Sequence, residues 1–117
     1  MHEYPITEHI IKIIEKHGKE SRASRIESVT LVVGDRSGFI GDSVRMYFDI
    51  IAEGTLCEGA ELIIKPVKSQ FKCPACGTVF YRKPMSFACS DCGADGAPTD
   101  TGKEFYIESI TVEQEVL

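Results

Sequence analysis

Four cysteines carry the most legible chemistry in this chain. Cys73 and Cys76 form one C-x₂-C pair, Cys89 and Cys92 form a second, and a glycine follows each directly (Gly77, Gly93). A C-x₂-C turn lets two thiolates converge on one ion while backbone N–H groups face the sulfurs, and a second pair completes a tetrahedron. Zn²⁺ is the natural occupant, because it accepts four thiolates and has no redox chemistry of its own. Four thiolates leave no open coordination position, so the pattern predicts a structural zinc site rather than a catalytic one. A labile or redox-sensitive site, an iron–sulfur centre and disulfides are the alternatives. Disulfides need an oxidising compartment, and no apolar export segment follows Met1, so the expected localisation is cytoplasmic. The fifth cysteine, Cys57, has neither a His nor a second Cys beside it and reads as a small half-buried residue.

Of the three histidines, His9 and His17 fall on a predicted helix and read as surface residues. His17 lies near its C-terminus, where a partly charged imidazole is favourable. His2 is different. A chain opening Met1-His2 offers an α-amine, the His2 amide nitrogen and the His2 imidazole, spaced for fused chelate rings on one ion. Glu3 adds an amide nitrogen or a carboxylate. A planar, nitrogen-rich set of this kind suits Ni²⁺ or Cu²⁺ better than Zn²⁺. On this chemistry alone, an incidental His near the start is the competing reading.

The elements that must position these groups can be read from pattern. Ile6, Ile10, Ile11 and Ile14 recur at helical spacing within 1–20, with Pro5 suited to a first turn and Gly18 as the expected terminator. Residues 26–33 (IESVTLVV) predict a strand whose alternation slips at Ser28–Val29. A second helix is expected over about 42–53, capped by Asp42 or Ser43, with Val44, Tyr47, Phe48 and Ile51 on one face and Gly54 at its end. Residues 60–67 predict a strand closed by Pro66, which favours an edge or a strand end. Residues 105–116 are the strongest β run. The predicted fold class is α/β: a small three-stranded sheet with two amphipathic helices and an inserted four-cysteine zinc module. The expected division is an α/β domain of 1–70 and 103–117, the part that carries Met1 and His2, around a zinc-binding domain of 71–102, which is too poor in apolar residues to bury a core of its own.

Composition removes several function classes. With 117 residues the chain has single-domain size, and 43% apolar content argues against disorder. No apolar run is long enough for a membrane span. Thirteen Lys+Arg against 18 Asp+Glu give a net charge of −5, the wrong sign for a nucleic-acid binder. Within the cysteine segment, Lys72, Arg82, Lys83 and Lys103 face Asp91, Asp95, Asp100 and Glu104, which leaves no basic stripe. Phe80, Tyr81 and Phe87 there read as a minimal core rather than a stacking platform. No Ser/His/Asp set, phosphate-cradling glycine loop or open metal site argues for an enzyme.

Met1-His2-Glu3 at the start, Gly34-x-x-Ser37-Gly38 after a strand, Gly54-Thr55-x₃-Gly59-Ala60 before the next, and the CxxCG…CxxCG module together resemble the HypA family. These are hydrogenase nickel-incorporation accessory proteins, and the resemblance covers essentially the whole chain. It implies a metallochaperone with Met1, His2 and Glu3 as nickel ligands and Cys73, Cys76, Cys89 and Cys92 on structural zinc. It implies as partners a HypB-like GTPase and the large-subunit precursor of [NiFe]-hydrogenase, with urease maturation proteins in some organisms, and neither nucleic acid nor membrane. Asp42 is the counterpart of an acidic residue that some members place near the nickel. The 37–41 stretch departs from the usual Glu-Pro form, and Pro98 stands where some members carry a further His ligand. The rival reading is a non-enzymatic adaptor whose zinc module mediates protein contacts without nickel.

Overall fold

The computed structural model describes residues 3–115. Helix α1 (Glu3–Glu20) buries Thr7, Ile10, Ile11, Ile14 and Gly18, the three-and-four spacing of one helix face. Gly18 does not end this helix, contrary to expectation. A Cβ there would stand 3.0 Å from Ile26 Cδ1 and 3.4 Å from Leu56 Cδ1, so this glycine lets the sheet approach. Termination falls instead to Arg22, whose φ of 58° is left-handed. The Ser21 hydroxyl donates to the carbonyls of His17 and Gly18, each at 3.1 Å.

Strand β1 (Ala23–Gly34) runs beyond the predicted span at both ends and is the central strand. Helix α2 (Gly41–Ile51) carries the chain over to β2 (Glu61–Val67), which pairs parallel to β1 from Ser28–Glu61 to Gly34–Val67. Pro66 therefore sits on an edge strand, as a residue without an N–H requires. The last strand of this sheet, Phe105–Gln114, pairs antiparallel to the other side of β1. Its register shifts between Ile26 and Ser28, a bulge that accounts for the broken alternation in the sequence. The expected cap on α2 is also corrected. The N-cap position is Ile40, and no side chain caps it.

Both helices pack on one face of the sheet. Ile10, Ile14, Ile26, Val29, Leu31, Val44, Phe48 and Leu62 form one cluster, and burying each such side chain is worth about 2 kcal/mol. On the other face an ion pair between Lys65 and Glu108 (2.7 Å) joins the two outer strands across β1.

Between β2 and the last long strand, three two-residue strands form a second sheet. They are β3 (Phe71–Lys72), β4 (Val79–Phe80) and β5 (Ala97–Pro98), in the order β4-β3-β5, so that Phe105–Gln114 is β6. This segment does bury a small core, contrary to expectation: Phe71, Cys73, Phe80 and Cys89, with Ala94 against them. Half of that core is cysteine. Of the three aromatics expected there only Phe80 is buried; Tyr81 and Phe87 are 53% and 51% exposed, and Phe71 takes their place. The predicted α/β class, with two helices and an inserted four-cysteine module, matches this architecture.

Candidate metal centre

The two cysteine loops share one backbone design. Cys73 N–H donates to Thr78 O (2.9 Å) and Gly77 N–H to Cys73 O (2.8 Å); Cys89 N–H donates to Ala94 O (2.7 Å) and Gly93 N–H to Cys89 O (3.0 Å). Gly77 and Gly93 have φ of 78° and 79°, a region a β-carbon disfavours, which is why glycine follows each pair.

The four Sγ atoms all lie within 4.8 Å of one another, with Cys73–Cys92 at 3.4 Å and Cys76–Cys89 at 3.6 Å. A tetrahedral ion with metal–sulfur bonds of about 2.3 Å needs sulfur–sulfur edges of about 3.8 Å. The cluster therefore has the size and donor set for one tetrathiolate-bound ion. All five cysteines are free thiols. Cys73 and Cys89 are buried and Cys76 and Cys92 exposed, so two ligands come from the module core and two from its surface.

Hydrogen bonds around the sulfurs set their acidity. Asp91 N–H points at Cys89 Sγ (3.4 Å). The Thr78 hydroxyl lies 3.2 Å from Cys76 Sγ and donates to the Asp91 carboxylate at 3.0 Å, linking the two loops. Hydrogen bonding by Thr78, its hydroxyl first, brings the Cys76 thiol down to about 6. Cys92 moves the other way: the Ala94 N–H favours its thiolate, but the neighbouring thiols outweigh that and push it up to about 12. All four cysteines must be thiolates to hold an ion, so protons leave the cluster when one enters and binding strengthens as pH rises. Cys57 stands apart, fully buried, and burial pushes its thiol up to about 11.

Met1 and His2, the other expected ligands, lie outside the described residues. Glu3 is described: it is 7% exposed, and its carboxylate accepts the Ile40 N–H at 3.2 Å. That bond leads the effects holding its carboxyl below the usual range. The start of α1 is thereby fixed beside the entry of α2, and Tyr4 meets Tyr47, farther along α2, edge-on at 5.3 Å. Asp42 is exposed and lines a shallow cavity of about 410 Å³ with Ile40 and Arg45 at that entry. Among the described residues, the four cysteines are the group of His, Cys, Asp and Glu close enough to share an ion. Sequence reasoning missed Thr78 and Asp91. The one available signal was an asymmetry, since Thr78 follows the first C-x₂-C-G and Ala94 the second.

A small α/β sheet that carries, on an insertion, four cysteines close enough to share an ion defines a candidate metal-binding protein. The chain belongs to the HypA family: the model described as "Hydrogenase/urease nickel incorporation, metallochaperone, hypA" matches residues 1–112. Hydrogenase maturation factor HypA of Caldanaerobacter subterraneus subsp. tengcongensis is 44% identical over 114 residues, covering 97% of this chain and 100% of that protein. Its counterpart in Dehalococcoides mccartyi is 38% identical over 115 residues, covering 98% and 97%. The solution structure of the Ni metallochaperone HypA from Helicobacter pylori superposes with a TM-score of 0.64 at 28% identity, covering 97% of this chain and 98% of that one.

Proposed function

We propose that this member of the family binds Ni²⁺ through Met1, His2 and Glu3 and hands it on for [NiFe]-hydrogenase maturation, while Cys73, Cys76, Cys89 and Cys92 hold a structural Zn²⁺. The observation that carries the nickel reading is the family match, which begins at residue 1 and so takes in Met1-His2-Glu3. Support for zinc comes from the donor set: four thiolates on one borderline-soft, tetrahedral ion with no open position. The Glu3 carboxylate already accepts the Ile40 N–H, so in this reading it holds the arm at the α2 entry while Glu3 contributes a backbone nitrogen. Asp42 lies near enough in sequence to Ile40 to serve as an added ligand. The two sites need opposite properties: the thiolate site must hold its ion, and the nickel site must release its ion to a partner. The recipients are a HypB-like GTPase and the hydrogenase large-subunit precursor, with urease maturation proteins as a further route. We also propose that 71–102 is a folding unit distinct from 1–70 and 103–117.

Calorimetric nickel titration tests the reading. Untagged protein should bind one nickel beside one zinc. Adding a residue ahead of Met1, or His2→Ala, should lower nickel affinity at least about tenfold, the scale of a lost ligand, with zinc unchanged. Unaltered nickel affinity in both variants would refute the terminal site and leave a single-metal adaptor.

A further inference from the structure

The molecule is acidic overall, yet one concave surface has the opposite sign. A cavity of about 690 Å³ opens at the base of the insertion. Arg36, just past β1, Lys68, just before β3, and Arg82, just past β4, bring cations to it, and Phe71, Phe87 and Pro98 supply apolar lining. Among the described residues, none of these three cations forms an ion pair. Asp35, the one acid among three cations on this wall, is hydrogen-bonded within it: its carboxylate accepts the Ser69 N–H at 3.1 Å and the Ser69 hydroxyl.

The cations are held in place without being neutralised. Arg36 Nη1 donates to Thr99 O at 2.8 Å. Lys68 Nζ lies 5.2 Å from the centre of the Tyr81 ring, and the Arg82 guanidinium 4.9 Å from that of Phe87. A charge resting on a ring face keeps its ability to meet an anion, and its prior placement reduces the entropy lost on binding.

We propose that this cleft docks an acidic segment of a partner protein, whose carboxylates meet Arg36, Lys68 and Arg82 while an apolar side chain between them lies on Phe87 and Pro98. Each alternative fits one half of the surface. A free anion would leave the apolar lining unused, and a nucleic acid would bring a long run of phosphates against a protein of net charge −5. A peptide with both carboxylates and an apolar side chain uses all of it. Because the lining comes from both flanks of the insertion's base, such a partner would grip both parts of the molecule. This inference does not depend on the nickel reading, since it uses neither the amino-terminal arm nor a cysteine.

The test is fluorescence anisotropy on metal-loaded full-length protein. The probes are a fluorescein-labelled peptide Glu-Glu-Leu-Asp-Glu, the same peptide with Gln and Asn in place of its acids, and a single-stranded oligonucleotide of equal charge. The acidic peptide should bind saturably, more weakly as salt rises, and at least about tenfold more tightly than its amide counterpart. Lys68→Glu with Arg82→Glu should abolish that preference, and the milder Lys68→Gln with Arg82→Gln should reduce it. Zinc content, circular dichroism and nickel affinity should stay at wild-type values in both variants, which separates failure of the cleft from failure of the fold or of the nickel site. Equal binding of acidic and amide peptides, unchanged binding by the variants, or tighter binding of the oligonucleotide would each overturn the proposal.

Discussion

Thr78 joins two loops that the sequence presents as separate motifs. Its hydroxyl donates to Asp91 on the second loop and lies beside Cys76 on the first. Partners of this kind orient ligands, and losing one typically weakens a metal site by about tenfold or more. Thr78→Ala should therefore lower the affinity of the four-thiol site on that scale in competition with a chromophoric chelator, and Thr78→Ser should retain it. Equal affinities for all three proteins would mean that the bridge is decorative. Cys57 makes the opposite case. It is fully buried and its thiol is pushed up to about 11 by that burial, so thiolate is scarce at neutral pH. In native, metal-free protein, mass spectrometry after brief alkylation should find label first on the exposed Cys76, whose thiol is down at about 6, and none on Cys57. Rapid labelling of Cys57 would show that the core around it opens.

At the scale of elements, the decisive contact lies where the insertion leaves and re-enters the sheet. Gly34, the last residue of β1, donates its N–H to Glu104 O at 2.6 Å, and Arg36 N–H reaches Gly102 O at 2.7 Å. A Cβ on Gly34 would overlap Gly102 O, a backbone atom with little room to yield. Gly34→Ala should cost about 3 kcal/mol and lower the melting temperature by roughly 10 °C. Gly38→Ala is the control. Its φ is 89° but no atom lies within 4 Å of its Cβ, so about 1 kcal/mol of backbone strain is all it should lose. If both variants melt alike, the packing at the base is not what matters. This junction also marks the limit of what could be read from the chain. Helices, long strands and the cysteine site are legible because period, propensity and ligand spacing are local properties. The Gly34–Gly102 approach, the Glu3–Ile40 bond and the Thr78–Asp91 bridge join residues distant in sequence. The second sheet hides for another reason, since strands of two residues carry no periodicity at all. Gly18 misleads because a glycine that relieves packing and one that ends a helix look the same in a string of letters.

At the scale of the whole molecule, shape and core organisation say the same thing. The Cα radius of gyration is 18.3 Å and the extents are 63 × 28 × 16 Å, whereas a compact domain of this length has a radius of about 13 Å. The two hydrophobic clusters share no residue. The larger draws on both helices and the long sheet and can stand on apolar burial alone. The smaller has four members, two of them cysteines of the four-thiol group, and so little apolar area to bury. Its folding free energy should therefore come largely from the bound ion. Removing the metal with a strong chelator at neutral pH should collapse hydrogen-exchange protection across 71–102, while β1 and the buried face of α1 keep theirs. Because the cluster must lose protons to take up an ion, the chelator concentration needed should fall as pH is lowered. Re-adding Zn²⁺ should restore protection in the module without changing that of the sheet. Simultaneous loss of protection in β1 would mean instead that the ion holds the whole chain together, and that the elongated shape conceals one cooperative unit.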